Sequence, residues 1–249
     1  MGRIVAIGGG EIGRLGYPVE TTKIDKEIIS LTGKNKPKLL FIPTASLDSE
    51  SYYDVVKKHF GNKLGCIIDV LYLLREKTNY EKIENKVLNS DIIYVGGGNT
   101  LRMMNVWRNK GLNRILTEAY NQNIVLSGLS AGAMCWFEYG NSDSRRFRNP
   151  DAGLIRVRGL NFVNALFCPH YNVEESRRSD LRKMMFRTSG VGIAVDNCCA
   201  LEIVDDKYRV IKSNNNSNAY KVYYKNGKFY QEIINPSKEF KPLKDLLNR

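Results

Sequence analysis

Ser130 stands in Gly128-Leu129-Ser130-Ala131-Gly132, between the apolar run 123–127 and a second, helix-like run at 133–139. G-x-S-x-G at a strand-to-helix junction is the pattern of a nucleophile elbow. Glycines at both ends permit a turn that a Cβ would obstruct, and Ala131 keeps the first helical turn slim. The serine hydroxyl is then lifted above the sheet edge, with the Ala131 N–H directed at the same point. The chemistry this allows is acyl transfer. A serine hydroxyl needs a base to take its proton, and the chain has two histidines. His59 lies beside Lys57 and Lys58 on a helix-like stretch and reads as a surface or boundary residue. His170 comes 40 residues after the serine, behind an apolar strand and a stiffening proline. It is the candidate base.

A third group should fix the imidazole tautomer. Glu138, Asp143 and Asp151 are the candidates between serine and histidine. Glu138 falls two turns into the helix expected after the elbow, so Asp143, on a polar loop, is preferred. An oxyanion hole needs two preorganised N–H donors. Ala131 supplies one, and the Gly96-Gly97-Gly98 turn offers the other.

The elements that must position these groups alternate between strand and helix. Strands are expected at 3–7, 38–42, 66–73, 91–95 and 123–127, and helices at 22–32, 52–60, 80–88 and 101–110. Short connections and near-continuous apolar strands imply a mostly parallel, doubly wound α/β sheet with helices on both faces. Its crevice opens at the carboxyl ends of the strands, where the turns at Gly8, Gly96 and Gly128 all fall. Beyond the elbow come a polar stretch at 140–158, a strand at 165–168 and a helix at 173–187. Strands follow at 191–195 and 200–204, then C-terminal β-hairpins, one turning at Asn226-Gly227. No linker or repeat interrupts the chain, which reads as one domain over 1–249.

Gly8-Gly9-Gly10-Glu11-Ile12-Gly13 matches G-x-G-x-x-G. A dinucleotide site would open a helix there and place an acid at the end of the next strand. Residues 14–22 instead contain Gly16 and Pro18, and no acid ends the strand at 38–42, so a tight glycine turn is expected. The five cysteines lack metal-ligand spacing and read as reduced, mostly buried thiols. No metal or cofactor is expected. The formal charge of +12 is spread along the chain without a nucleic-acid-binding motif. It reads as a lysine-rich solvated surface whose potential favours a carboxylate-bearing substrate. No run is long enough to span a membrane, and the N-terminus enters a strand without signal-peptide features. A cytoplasmic protein is expected. An exposed edge strand leaves a homodimer possible.

The order Gly96-Gly97-Gly98-Asn99-Thr100, then Gly128 to Gly132, then Pro169-His170-Tyr171 resembles the peptidase E (alpha-aspartyl dipeptidase) family of serine peptidases, relatives of cyanophycinase. The resemblance runs from Arg3 to about Val204. It implies a class I glutamine-amidotransferase-like fold with serine in place of cysteine. It implies Ser130 as nucleophile, His170 as base, Asp143 as triad acid, and the Gly98 and Ala131 amides as oxyanion hole. The substrate it implies is a short peptide, with an N-terminal aspartate held by an arginine after the histidine. Arg177 is the nearest match and Arg178 its rival. The segment between histidine and arginines looks shorter than in peptidase E, and the region 140–151 diverges. Two other readings stand beside this one: an amidotransferase-like or esterase-type acyl hydrolase, and a non-catalytic basic binding protein.

Overall fold

The computed structural model describes residues 2–173 and 175–249. Five strands lie parallel: β1 (Arg3–Ile7), β2 (Lys38–Ile42), β3 (Ile67–Val70), β4 (Ile92–Val95) and β5 (Val125–Leu129). Their order is β1-β5-β4-β2-β3. Successive side chains of a strand point to opposite faces, and here both faces are apolar. Ile4, Leu40, Ile93 and Leu126 pack on one side against α3 (Tyr80–Leu88), α4 (Thr100–Lys110) and α5 (Leu112–Asn121) through Ile83, Trp107 and Ile115. Val5, Phe41, Tyr94 and Val125 face the other way, onto α1 (Thr22–Ser30) and α2 (Glu50–Val56) through Ile24, Ile28 and Val56. Only β3, at the edge, alternates between exposed and half-buried positions. α2, α3 and α4 start on polar caps, with Ser49, Asn79 and Asn99 accepting from the N–H groups of Tyr52, Lys82 and Arg102.

The chain behaves differently after the elbow. The helix expected at 133–139 is a single turn, α6 (Ala131–Met134), and the chain runs on into β6 (Phe137–Ser142). An apolar run of this length suits either element, and packing decides. Phe137 stacks on Phe167 at 4.6 Å between ring centroids, and Gly140 sits where a Cβ would strike the Met134 side chain. β6 pairs with β7 (Ile155–Arg158) inside what reads as a polar loop, and with β8 (Val163–Cys168). β9 (Gly192–Val195), β12 (Ala219–Lys225) and β13 (Lys228–Ile234) complete a second, six-stranded sheet in the order β13-β12-β9-β8-β6-β7. The β12–β13 hairpin turns at Asn226 and Gly227, with φ of 51° and 75°. β10 (Cys199–Val204), β11 (Lys207–Lys212) and β14 (Lys241–Pro242) instead extend the first sheet antiparallel beyond β1. α7 (Glu175–Phe186) and α8 (Leu243–Leu247) are the remaining α-helices among the described residues, beside a 3-10 turn at Thr44–Ser46 and a π-helix at Lys57–Lys63 that continues α2. The architecture is thus mixed α/β, with two sheets where sequence patterning suggested one.

His59 is not at the surface. It is 3% exposed, and its Nε2 lies 2.7 Å from a carboxylate oxygen of Asp25, which also accepts from Thr21. Burial pushes the Asp25 carboxyl up, against the lowering effect of these two hydrogen bonds. All five cysteines are free and buried. Among the described residues no helix is long and apolar enough to cross a membrane.

Candidate active site

β1, β5 and β4 are neighbours in the sheet, and their carboxyl ends open onto one crevice. Ser130 follows β5 with φ 54° and ψ −112°, outside the regions L residues ordinarily occupy. The neighbours hold it there. Its N–H donates to the Ile7 carbonyl at 3.1 Å, and its carbonyl accepts from the N–H groups of Ala133 and Met134. The elbow also lies hard against the end of β4, where a Cβ on Gly132 would stand 2.1 Å from the Val95 carbonyl oxygen. Only glycine fits this position.

His170 reaches the serine from the other sheet. Pro169 carries the chain off β8, and His170 adopts φ 54° with its N–H donating to the Gly8 carbonyl at 2.9 Å. Its Nε2 lies 2.9 Å from Ser130 Oγ. Its Nδ1 lies 2.7 Å from Oδ1 of Asn197, in the turn between β9 and β10. An amide oxygen can only accept, so Nδ1 carries the proton and Nε2 accepts from the serine hydroxyl. Asn197 is itself fixed, its N–H donating to Asn172 Oδ1 at 2.9 Å. Gly9 packs over both side chains. A Cβ there would come within 2.2 Å of Asn197 Oδ1 and 2.4 Å of His170 Nδ1.

The other expected site residues are only partly brought here. Gly98 lines the same cleft as Ser130 and His170, and Ala131 begins α6 directly after the serine. Asp143 does not join them. No hydrogen bond links it to His170, and its carboxylate lies 3.9 Å from the Arg177 guanidinium. β6 pairs with β8 and carries the chain to the start of α4, where the Ser144 carbonyl accepts from Asn99 Nδ2 at 3.0 Å and its hydroxyl from the Leu101 N–H at 2.9 Å. Glu138 is committed to β6 and Asp151 is exposed. Arg177 is 1% exposed and donates to the Asn141 carbonyl at 2.7 Å and to Asn141 Oδ1 at 3.2 Å, joining α7 to β6. Arg178 stacks over Tyr171 at 5.3 Å. Neither arginine lines the cleft.

The cleft itself has a volume of about 850 Å³. Residues 8–13 do not open a helix. They rise into a flap closed by an Ile12–Val19 bridge and by the Glu20 N–H donating to the Glu11 carbonyl. Glu11, Arg14, Tyr17 and Glu20 of the flap form one wall, and Tyr52, Asp54 and Val55 of α2 form another. Tyr52 accepts from the Gly97 N–H at 3.2 Å, and burial pushes its phenol up to about 12. Asn197, the flap and Tyr52 escaped sequence reasoning. The one available signal for Asn197 was its place at the carboxyl end of an apolar strand, where such crevices lie.

A strained serine at a strand-to-helix turn, hydrogen-bonded to a histidine on an α/β scaffold, is the arrangement of the serine hydrolases. The chain belongs to peptidase family S51, whose sequence profile matches residues 4–211. It is similar to the uncharacterized peptidase YgaJ of Bacillus subtilis (strain 168), with 34% identity covering 89% of this chain and 92% of that one. It also resembles the uncharacterized peptidase Lmo0363 of Listeria monocytogenes serovar 1/2a, with 28% identity covering 57% and 68% of the two chains. Among solved structures, a peptidase from an acI-B1 Actinobacterium shares the fold, with TM-score 0.73, 21% identity and 97% of each chain covered. The protein is therefore a serine-type peptidase.

Proposed function

We propose that this peptidase hydrolyses short peptides through an acyl-enzyme formed on Ser130, with His170 as base and Asn197 as the residue that orients it. The observation carrying this is the hydrogen-bond relay from Ser130 Oγ to His170 Nε2 and from His170 Nδ1 to Asn197 Oδ1, at 2.9 and 2.7 Å. As the serine oxygen attacks the peptide carbonyl, its proton passes to Nε2. The resulting oxyanion is received by the amides of Ala131 and Gly98. Nε2 then returns the proton to the departing amine, leaving an ester on Ser130. Water, deprotonated by the same nitrogen, releases the acid and restores the serine.

A cleft walled by the flap and α2 suits a short peptide better than a folded chain. The reduced, buried cysteines suit a reducing compartment such as the cytoplasm. Arg177 and Arg178, the arginines that the resemblance to peptidase E offers for an aspartate side chain, do not line the cleft, and the arginine that does, Arg14, is paired with Glu11. Digestion of a dipeptide and tripeptide library by the parent and by Ser130→Ala tests the proposal. The parent is expected to release products that the variant does not. Equal rates for the two would overturn the mechanism.

A further inference from the structure

We infer that the cleft beside Ser130 selects a peptide carrying a cationic group next to the scissile bond, read by the carboxylates of Glu20 and Asp54. This rests on Ser130 being the nucleophile, and it concerns what that serine is offered.

The cleft runs against the charge of the whole chain. The formal charge is +12, yet the side chains around the cavity include the carboxylates of Glu11, Glu20 and Asp54 against one guanidinium, Arg14, and the imidazole of His170, which is hydrogen-bonded to Ser130 and Asn197. Arg14 is already engaged. Its Nε donates to Glu11 at 2.8 Å, and its terminal nitrogen meets the other oxygen of the same carboxylate. That pair is self-neutralising. Glu20 and Asp54 have no ion-pair partner among the described residues. Glu20 is nonetheless held in place, one oxygen accepting the Glu11 N–H at 3.0 Å and facing the Cys198 thiol at 3.7 Å. Lys58 and Lys63 do not line this cleft but a smaller neighbouring cavity, which shares Ile12, Arg14, Leu15, Tyr17 and Val55 with it.

A substrate carboxylate entering this cleft would meet two uncompensated negative charges and no available cation. An ammonium or guanidinium would meet two acceptors. Discrimination of this kind works as much by repelling the wrong ligand as by holding the right one. The rest of the wall fits the same ligand. Tyr52, Val55 and Leu129 offer an apolar and aromatic surface along which the methylene stem of a lysine or arginine can lie. The positive field of the whole surface, read from composition alone, points toward acidic substrates; the local field at the serine points the opposite way.

The test separates binding from turnover. Calorimetry on Ser130→Ala measures binding of Lys-, Arg-, Ala- and Asp-containing dipeptides, each with a free and an acetylated amino terminus. Basic peptides are expected to bind about tenfold tighter than the Asp peptide, the scale of two partly exposed charge pairs. Glu20→Gln with Asp54→Asn should remove most of that difference. Acetylation of the amino terminus should leave the preference in place, because the cation read is the side chain, and loss of the preference on acetylation would overturn the inference. Asp peptides binding as well as basic ones, no peptide binding, or a preference untouched by the double variant would each overturn the inference. A charge preference in Ser130→Ala without hydrolysis by the parent would uphold the inference and sink the peptidase mechanism on Ser130 instead.

Discussion

Nδ1 of His170 donates to Oδ1 of Asn197 across 2.7 Å, so the third member of this hydrogen-bond chain is a neutral amide. A carboxylate in that place orients the ring and also stabilises the imidazolium formed during acyl transfer. An amide orients it without adding a counter-charge. Asn197→Asp should therefore raise the pKa of His170 and move the acidic limb of the kcat/KM profile to higher pH. Asn197→Ala, which removes the orienting group, should lower kcat by about a hundredfold. Rates measured from pH 5 to 9 for the three proteins check both statements.

The backbone at Ser130 stores strain, since a side chain at φ 54° and ψ −112° costs roughly 1–3 kcal/mol. Ser130→Gly and Ser130→Ala both lose the hydroxyl, but only the alanine keeps a Cβ. The glycine variant should be more stable by about 1 kcal/mol after allowing for the greater freedom of glycine in the unfolded chain. Paired urea titrations would show the difference, and equal midpoints would mean that the elbow is unstrained.

Gly132 packs where a methyl group would overlap the Val95 carbonyl. Gly132→Ala must push α6 off the end of β4. The expected destabilisation is about 3 kcal/mol, at the upper end for overpacking a core, and the variant should lose the elbow geometry with it. A thermal melt near the parent's, with normal activity, would contradict this.

Asp91 ties the start of β4 to its neighbour β2. Its carboxylate accepts from Lys34 at 2.6 Å and from the Lys38 N–H at 2.8 Å. Burial alone would raise its pKa, but these two donors outweigh it and hold the carboxyl below its usual value. A pKa depressed in the folded state means stability that is present above the unfolded value of about 3.9 and is lost as pH falls through the folded value. Asp91→Asn should cost under about 1 kcal/mol at neutral pH, since Lys34 is largely exposed. The gap to the parent should close as pH falls below the unfolded value of about 3.9 and through the lower folded one, as read from melting temperatures across the acid range.

The parallel core and the pairing of Ser130 with His170 are legible in the sequence. Strands such as Ile92–Val95 carry their burial in their composition, and an elbow serine with so few histidines leaves little choice of base. Asn197 was not legible, because an asparagine after a strand looks like a turn residue. Its contact with His170 depends on β9 lying beside β8, a pairing in a second sheet that no local pattern announces. The same hidden sheet explains the misplacement of Asp143 and Arg177. Residues 137–142 have a composition compatible with helix or strand, and once they form β6 the loop and the arginine belong to its far end.

The segment from Gly9 to Glu20 touches everything that matters. At one end Gly9 lies against His170 and Asn197, and its carbonyl accepts the Cys198 N–H at 2.8 Å. At the other, Glu11 and Glu20 form the wall that a peptide would meet. One short ribbon of backbone thus joins the wall of the cleft to the packing that seats His170. Transplanting this loop from a relative to change what the enzyme accepts would also reset the seat of the imidazole. With His170 as the proposed base and Glu20 as the inferred reader of the substrate, selectivity and speed are mechanically joined, and neither can be retuned through the flap alone.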